Sequence, residues 1–270
     1  MQNTAEKRPN VNRALIDILH AIHQYRVWLH LGWLEVKQRY RRSVLGPWWI
    51  SISMLIFIAA MSKIFSRLFH QNVAEYVPFF TAGFIFWSFI STSIIESTEI
   101  FKVNSNLIRQ IKLPYTIYIM KFLVKNGIVL GHNFIIYFLV LAAFKINPGW
   151  SFFFLLPGFL LLTINLYWIT LFIALISTRF RDIAPIVNSC IQILFFITPI
   201  SWTPKLLGSN SLLVQLNPFV YLLDLVRNPL LGQPIPLLSW EVCTAMATCG
   251  LIIVLGLFNR VSPRIPFWLD

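Results

Sequence analysis

RYRRSVLGPWWISISMLIFIAAMSKIF, residues 39–65, sets a basic run against a proline, two tryptophans and a long apolar stretch. Arg39, Arg41 and Arg42 fall within four positions, and Trp48 and Trp49 follow Pro47. Beyond this point the chain stays apolar for most of its length. It is 57% hydrophobic and 12% charged, with a mean hydropathy of +0.70, whereas a soluble domain carries about 25% charged residues. So few polar residues cannot cover a folded surface, so the medium around most of this chain is lipid. The formal charge of +12 would suggest nucleic acid in a soluble protein. Here the basic residues flank apolar runs, where they meet lipid headgroups, and no nucleic-acid partner is expected.

The fold class that follows is an all-α membrane protein, because unpaired backbone groups are not tolerated in hydrocarbon. Six segments approach the ~20 residues that a ~30 Å hydrocarbon core demands: 47–65, 78–101, 122–144, 151–176, 183–200 and 240–258. The third carries Lys121 and Lys125 at its start, and the fifth is short, with Pro185 and Pro199. Residues 1–38 read as a cytoplasmic tail with an interface helix, and 39–270 as one six-helix domain. No cleavable leader is expected, since residues 1–13 are polar and the first long apolar run comes late.

Lysine and arginine placement orients the spans. With both termini cytoplasmic, seventeen basic residues fall on the cytoplasmic side and five (Lys63, Arg67, Lys145, Lys205 and Arg227) on the other. The opening stretch is then an anchor. The arginines hold the span's start at the headgroups, the tryptophans lie at the interface, and Pro47 suits a first helical turn.

Three segments do not read as spans. Over 12–36, Leu15, Leu19, Ile22, Leu29, Trp33 and Val36 recur at helical spacing while Asp17, His20 and Gln24 face elsewhere. This is an amphipathic helix along the membrane surface, or a helix packed on a partner. The connection 102–118, KVNSNLIRQIKLPYTIY, is basic with a small apolar stripe of Leu107, Ile108 and Ile111; Pro114 should end its short helix near Lys112. It is either a solvated loop or a docking knob for another protein. The stretch 201–239 is apolar but broken by five prolines, which predicts two short re-entrant helices in the outer leaflet.

Most catalytic chemistry is missing. No G-x-x-x-x-G-K-[ST] loop occurs, so the chain is not expected to hydrolyse ATP by that route, and no G-x-S-x-G elbow appears. The five histidines are scattered, and Cys190, Cys243 and Cys249 lie in apolar runs as packing residues, so neither a metal nor a disulfide framework is expected. Glu96 and Glu99 are three apart and share a helix face. They pair with a nearby base such as Lys102 at the headgroups, or they serve a gate. Among the aromatics, Trp87 and Tyr167 are candidates to line a conduit and stack on sugar rings.

Three stretches carry a family resemblance. EVKQRYRRSVLGPWW (35–49) is similar to the lead-in to the first span in bacterial ABC-2 type exporters of the O-antigen and capsule polysaccharide group. LIRQIKLPYTIYIM (107–120) resembles their first cytoplasmic loop, where a coupling helix ends in a proline. Ile191, Leu194, Ile197, Thr198, Ile200, Leu207, Gly208, Pro218, Phe219, Tyr221 and Arg227 fit their C-terminal signature. Glu35 stands where many relatives have Asp, and Ser53 where several have proline.

The resemblance implies a permease of the bacterial inner membrane that works as two copies with a separate ABC ATPase. That partner would bind Mg-ATP, leaving this chain without a cofactor, catalytic residue or metal. The ATPase would dock on Asn104, Leu107, Ile108, Arg109, Ile111 and Lys112, beside the interface helix at Leu15, Leu19, Ile22 and Tyr25. Lys37, Arg39, Arg41 and Arg42 would meet membrane lipids or the pyrophosphate of an undecaprenyl-linked polysaccharide. Trp87, Glu96, Glu99, Tyr167, Tyr221 and Arg227 would line or gate the conduit. Drug-exporting and teichoic-acid permeases share this plan. A membrane-embedded glycan transferase is the enzyme-class rival, and it would have to use Glu75, His70 or Asp224. A secondary transporter would need internal repeats with ionisable residues at the midplane, and the sequence has neither.

Overall fold

Hydrophobic runs this long bury their backbone polarity in helices, and among the described residues every regular element is helical. The computed structural model of the chain describes residues 13–41, 46, 48–204 and 212–269. Arg42, Pro47, Lys205, Leu207 and Gly208 lie outside the described residues. In chain order the helices are α1 (Arg13–His23), α2 (Tyr25–Arg39), α3 (Trp48–Leu68), α4 (Val73–Ser97), α5 (Ile100–Val103), α6 (Ser105–Gln110) and α7 (Tyr115–Phe144). A 3-10 turn at Gly149–Phe154 leads into α8 (Leu155–Arg179). Then follow α9 (Ile183–Ile197), α10 (Leu212–Gln215), α11 (Pro218–Leu230), α12 (Leu237–Val261) and α13 (Ile265–Trp268).

Five of these, α3, α4, α7, α8 and α12, are long and apolar enough to cross a membrane. The fifth expected span, 183–200, is the one not among them. α9 has 15 residues, or ~22 Å at 1.5 Å per residue, and it stops where Thr198 turns extended before Pro199. Both faces of the hydropathy argument show in α4 and α7. Asn72 caps α4 by accepting from the Ala74 N–H, so the helix starts five residues ahead of the apolar run. α7 starts at Tyr115, and Lys121 and Lys125 sit inside it because acidic side chains of other helices reach them.

α4 is the central post, packed by α3, α7, α8, α9 and α11. Its aromatic ladder Tyr76–Phe80–Phe84 stacks at successive turns, and Phe57 of α3 stacks on Phe84. α11 is wedged against α4, α8 and α12. Gly158 of α8 makes that wedge possible, since a Cβ there would sit 2.2 Å from the Leu225 carbonyl oxygen. Asn217 caps α11 and Pro218 begins it, as a proline without an N–H to place should.

The N-terminal segment is two helices, with a break at Gln24, where one was expected. Its small side chains, Ala14 and Ala21, are buried against the bundle, Leu19 is the most exposed of its apolar residues, and Leu15 and Ile22 are exposed along a groove that α1 forms with α7, α8 and α12. Ala14 donates its N–H to Asn259 near the end of α12, and Arg109 of α6 donates to the Leu269 carbonyl. The described chain ends therefore share one end of the bundle with α5 and α6. At the opposite end, Tyr76 donates to Ser201 O and Tyr137 to Leu230 O, pinning the segment around α11.

Candidate functional site

The sequence-predicted coupling residues stand at the end shared by the first and last described residues. α6 buries none of its residues. Leu107 and Ile108 are half-buried against the core. Val103 (73% exposed) and Ile111 (49%) present apolar surface outward, and Lys112 is exposed beside them. The helix ends at Gln110, two residues before the expected stop at Lys112, because Ile111 is already extended.

What holds this protrusion is a set of ion pairs that the linear sequence does not connect. Asn104, at the junction of α5 and α6, donates to Ile100 O and accepts from Lys121 Nζ at 2.7 Å. Lys121 also reaches Glu35 of α2 at 3.2 Å. One turn further along α7, Lys125 pairs with Glu96 of α4 and lies 4.6 Å from the Phe122 ring centroid. Glu96 is approached by Arg39 at 3.9 Å. Glu99 pairs with Lys102 at 3.0 Å, the local partner expected for it, whereas Glu96 turns to the distant Lys125.

The pairs differ in weight. The Lys121 side chain is 8% exposed; removing one partner of such a pair strands a charge in low dielectric. Glu99–Lys102 is a surface pair of the kind worth ~0–1 kcal/mol. Glu35 Oε2 and Tyr40 Oη are buried without a hydrogen-bond partner among the described residues. Burial raises the Tyr40 pKa; Arg39 opposes this and Glu96 adds to it. Gly32 lets α2 lie on α7, as a Cβ there would sit 2.9 Å from Lys121 O.

α1 is fastened differently. The Asp17 carboxylate accepts from the Tyr115 and Thr116 N–H groups at 3.0 and 2.9 Å and from the Thr116 hydroxyl at 2.6 Å. It thereby caps α7 from another helix, supplying acceptors for orphan donors and a negative charge at the positive dipole end. Leu15, Leu19, Ile22 and Tyr25 are exposed, as are Lys37, Arg39 and Arg41. Asp17, Glu35, Lys121 and Lys125 are the residues that sequence reasoning did not assign to the site. The available signal was two lysines four apart inside an apolar helix.

The candidate conduit residues are spread through the molecule. Trp87 is buried (4% exposed) against Phe195 and Phe219. Tyr167 lines an apolar groove between α1, α7, α8 and α12. The Tyr221 hydroxyl donates to Gln215 O. Arg227 is buried in α11, bonding Pro199 O at 2.6 Å and Asp224 Oδ1 at 3.0 Å, while Ser239 donates to the other Asp224 oxygen. α11 is not among the long spans, and burial there raises the Asp224 carboxyl pKa, with the guanidinium opposing. Among the described residues no three His, Cys, Asp or Glu side chains gather as a metal site.

Comparison with known proteins shows the family. Residues 26–231 match the family model of the ABC-2 type transporter. An O-antigen export system permease protein, RfbA, of Myxococcus xanthus is 27% identical over 218 residues, covering 77% of this chain and 82% of that protein. A protein of the same name from Klebsiella pneumoniae is 21% identical over 238 residues, covering 85% and 90%. With all-helical spans, a short protruding helix braced by ion pairs, and a family match over most of its length, the chain belongs to the ABC-2 type transporters and is a membrane permease of that family.

Proposed function

We propose that this permease is the transmembrane subunit of an ATP-driven exporter that carries a lipid-linked polysaccharide, such as O-antigen or capsule, across the bacterial inner membrane. Two copies work with a separate ABC ATPase that binds Mg-ATP. The observation that carries the reading is the protruding α5–α6 segment. Its outward Val103 and Ile111 form a docking point for the ATPase, and Asn104, Lys121 and Glu35 tie it to α7 and α2. A push on α6 is thereby delivered to two helices at once, which is the physical requirement for coupling between sites.

Both termini are cytoplasmic in this reading, which puts the basic end of the bundle at the anionic leaflet. α9 and the three residues after it make the remaining crossing, fifth in chain order, and α10 and α11 are the re-entrant pair. The outward apolar face of α1 lies in the interface. The second copy is supported by α9, which buries only Ile191 within the chain. A helix this short facing lipid on most sides would leave a hydrophobic mismatch, and a partner copy relieves it. The polysaccharide cargo rests on the relatives named for O-antigen export.

Ile111→Glu tests the coupling. It should reduce ATP-dependent glycan export to the level seen without the ATPase, while membrane insertion stays normal. Ile108→Glu is a poorer choice because Ile108 also packs inward. Normal export by the Ile111 variant would remove α6 from the mechanism. Cells lacking the permease should accumulate lipid-linked glycan on the cytoplasmic leaflet; unchanged surface glycan in those cells would overturn the cargo.

A further inference from the structure

At the end of the bundle away from α6, a recess of about 730 Å³ opens between the start of α4, the segment after α9, and α11. It falls within the ~300–1,000 Å³ of small-molecule sites. It is unlike the apolar groove beside Tyr167, whose lining is almost wholly aliphatic and aromatic. Here the wall carries Gln71, Glu75, Asn228 and Gln233, over a floor of Phe79 and Arg227.

The floor is a buried guanidinium packed against an aromatic ring. Arg227 is 3% exposed and its guanidinium carbon stands 4.4 Å from the Phe79 ring centroid. Its two terminal nitrogens are bonded to Pro199 O and Asp224. Nε is buried and has no partner among the described residues, so the donors open to a ligand are those of the wall. On the wall, Gln71 is engaged with Thr203. The Asn228 and Gln233 amides and the Glu75 carboxylate make no side-chain hydrogen bond among the described residues.

Charge selects the class of ligand. Among the described lining residues Glu75 and Asp224 outnumber Arg227, a balance that disfavours a phosphate or other anion. Primary amides both donate and accept, as sugar hydroxyls do, and half-buried Phe79 adds an apolar strip for a ring's C–H face. We propose that this recess binds a neutral sugar residue, held by Asn228, Gln233 and Glu75 over the Arg227–Phe79 floor. It rests on the polysaccharide-export reading only for the identity of the natural ligand. In that reading it is an outer-side station that takes hold of the emerging glycan and opposes its return.

The test uses the purified full-length chain in lipid nanodiscs without the ATPase, and saturation-transfer NMR. The probes are glucose, galactose, mannose, rhamnose and N-acetylglucosamine, with glucose 1-phosphate as the anionic comparator and glycerol as the control. Saturable binding of at least one neutral sugar, stronger than that of glucose 1-phosphate or glycerol, is expected. The Asn228→Ala/Gln233→Ala double variant should weaken it about tenfold, the loss of two neutral hydrogen bonds. Gln233→Ala alone, at an exposed position, should weaken it in the same direction without affecting folding. Ile111→Glu should bind as the parent does. Failure of every neutral sugar to bind, preference for the phosphate, or binding indifferent to both amide variants would overturn the site. Export measured in parallel separates the two ideas. Glycan export without sugar binding sinks the recess alone, and sugar binding in a chain that exports no glycan supports the recess and sinks the exporter reading.

Discussion

The two ends of this permease use ion pairs in opposite ways. At the α6 end, Glu35–Lys121 and Glu96–Lys125 join helices far apart in sequence and stay partly in contact with solvent. At the α11 end, Asp224–Arg227 lies within one helix, three residues apart, with both side chains largely buried. The first arrangement suits the proposed coupling, because moving one helix would pull on a charge held by another. The second fixes the shape of a single short helix and the loop that Arg227 grips through Pro199 O. A working transporter needs both: a place to receive a push and a place that keeps its geometry.

Substitutions that strand one partner should separate the two kinds of pair. The largest effect is expected for Asp224→Ala, which leaves the Arg227 guanidinium buried without its counter-charge. A loss of ~3–5 kcal/mol follows for a pair of this kind, seen as a large drop in the unfolding midpoint in mixed micelles. A small shift would mean that water reaches the pair and that the two ends are alike.

An intermediate effect belongs to Lys121→Met. Its charged hydrogen bonds to Glu35 and Asn104 are worth ~1.5–3 kcal/mol, discounted because Glu35 is about a third exposed. We expect ~1–2 kcal/mol of destabilisation after that screening, with coupling hit harder than stability. ATPase turnover should persist while export falls. The exchange Glu35→Lys with Lys121→Glu should recover part of the export, and no recovery would argue that the pair is scaffolding only. The smallest effect is Lys102→Ala, which removes a surface contact to Glu99. A change within ~0.5 kcal/mol and normal export are expected; an export defect there would extend the transmitting set to Glu99.

Much of this architecture is legible in the chain, and the unread parts share a cause. The Leu107–Ile111 stripe before Pro114 marked the protruding helix, because a short apolar period ended by proline is a local signal. Lys121 and Lys125 looked like the ragged edge of a span. A hydropathy sum charges each lysine its full desolvation penalty, and only the fold brings Glu35, Asn104 and Glu96 within reach. α1 was legible as amphipathic, yet which face turns inward was settled by Asp17 capping α7 and Ala14 fitting against Asn259. Gly158 carries no signal until Leu225 of α11 lies against it.

By itself the sequence determined the lipid setting, most of the span positions, the basic asymmetry and the absence of a nucleotide loop. Those depend on composition and on short-range periodicity, which solvent transfer energies read residue by residue. Only the tertiary structure decided which charges are neutralised, how far α9 extends, and that α11 walls a polar recess. Those depend on distances between residues remote in the chain, and Coulomb and hydrogen-bond energies change by several kcal/mol over a few ångströms that no local pattern records.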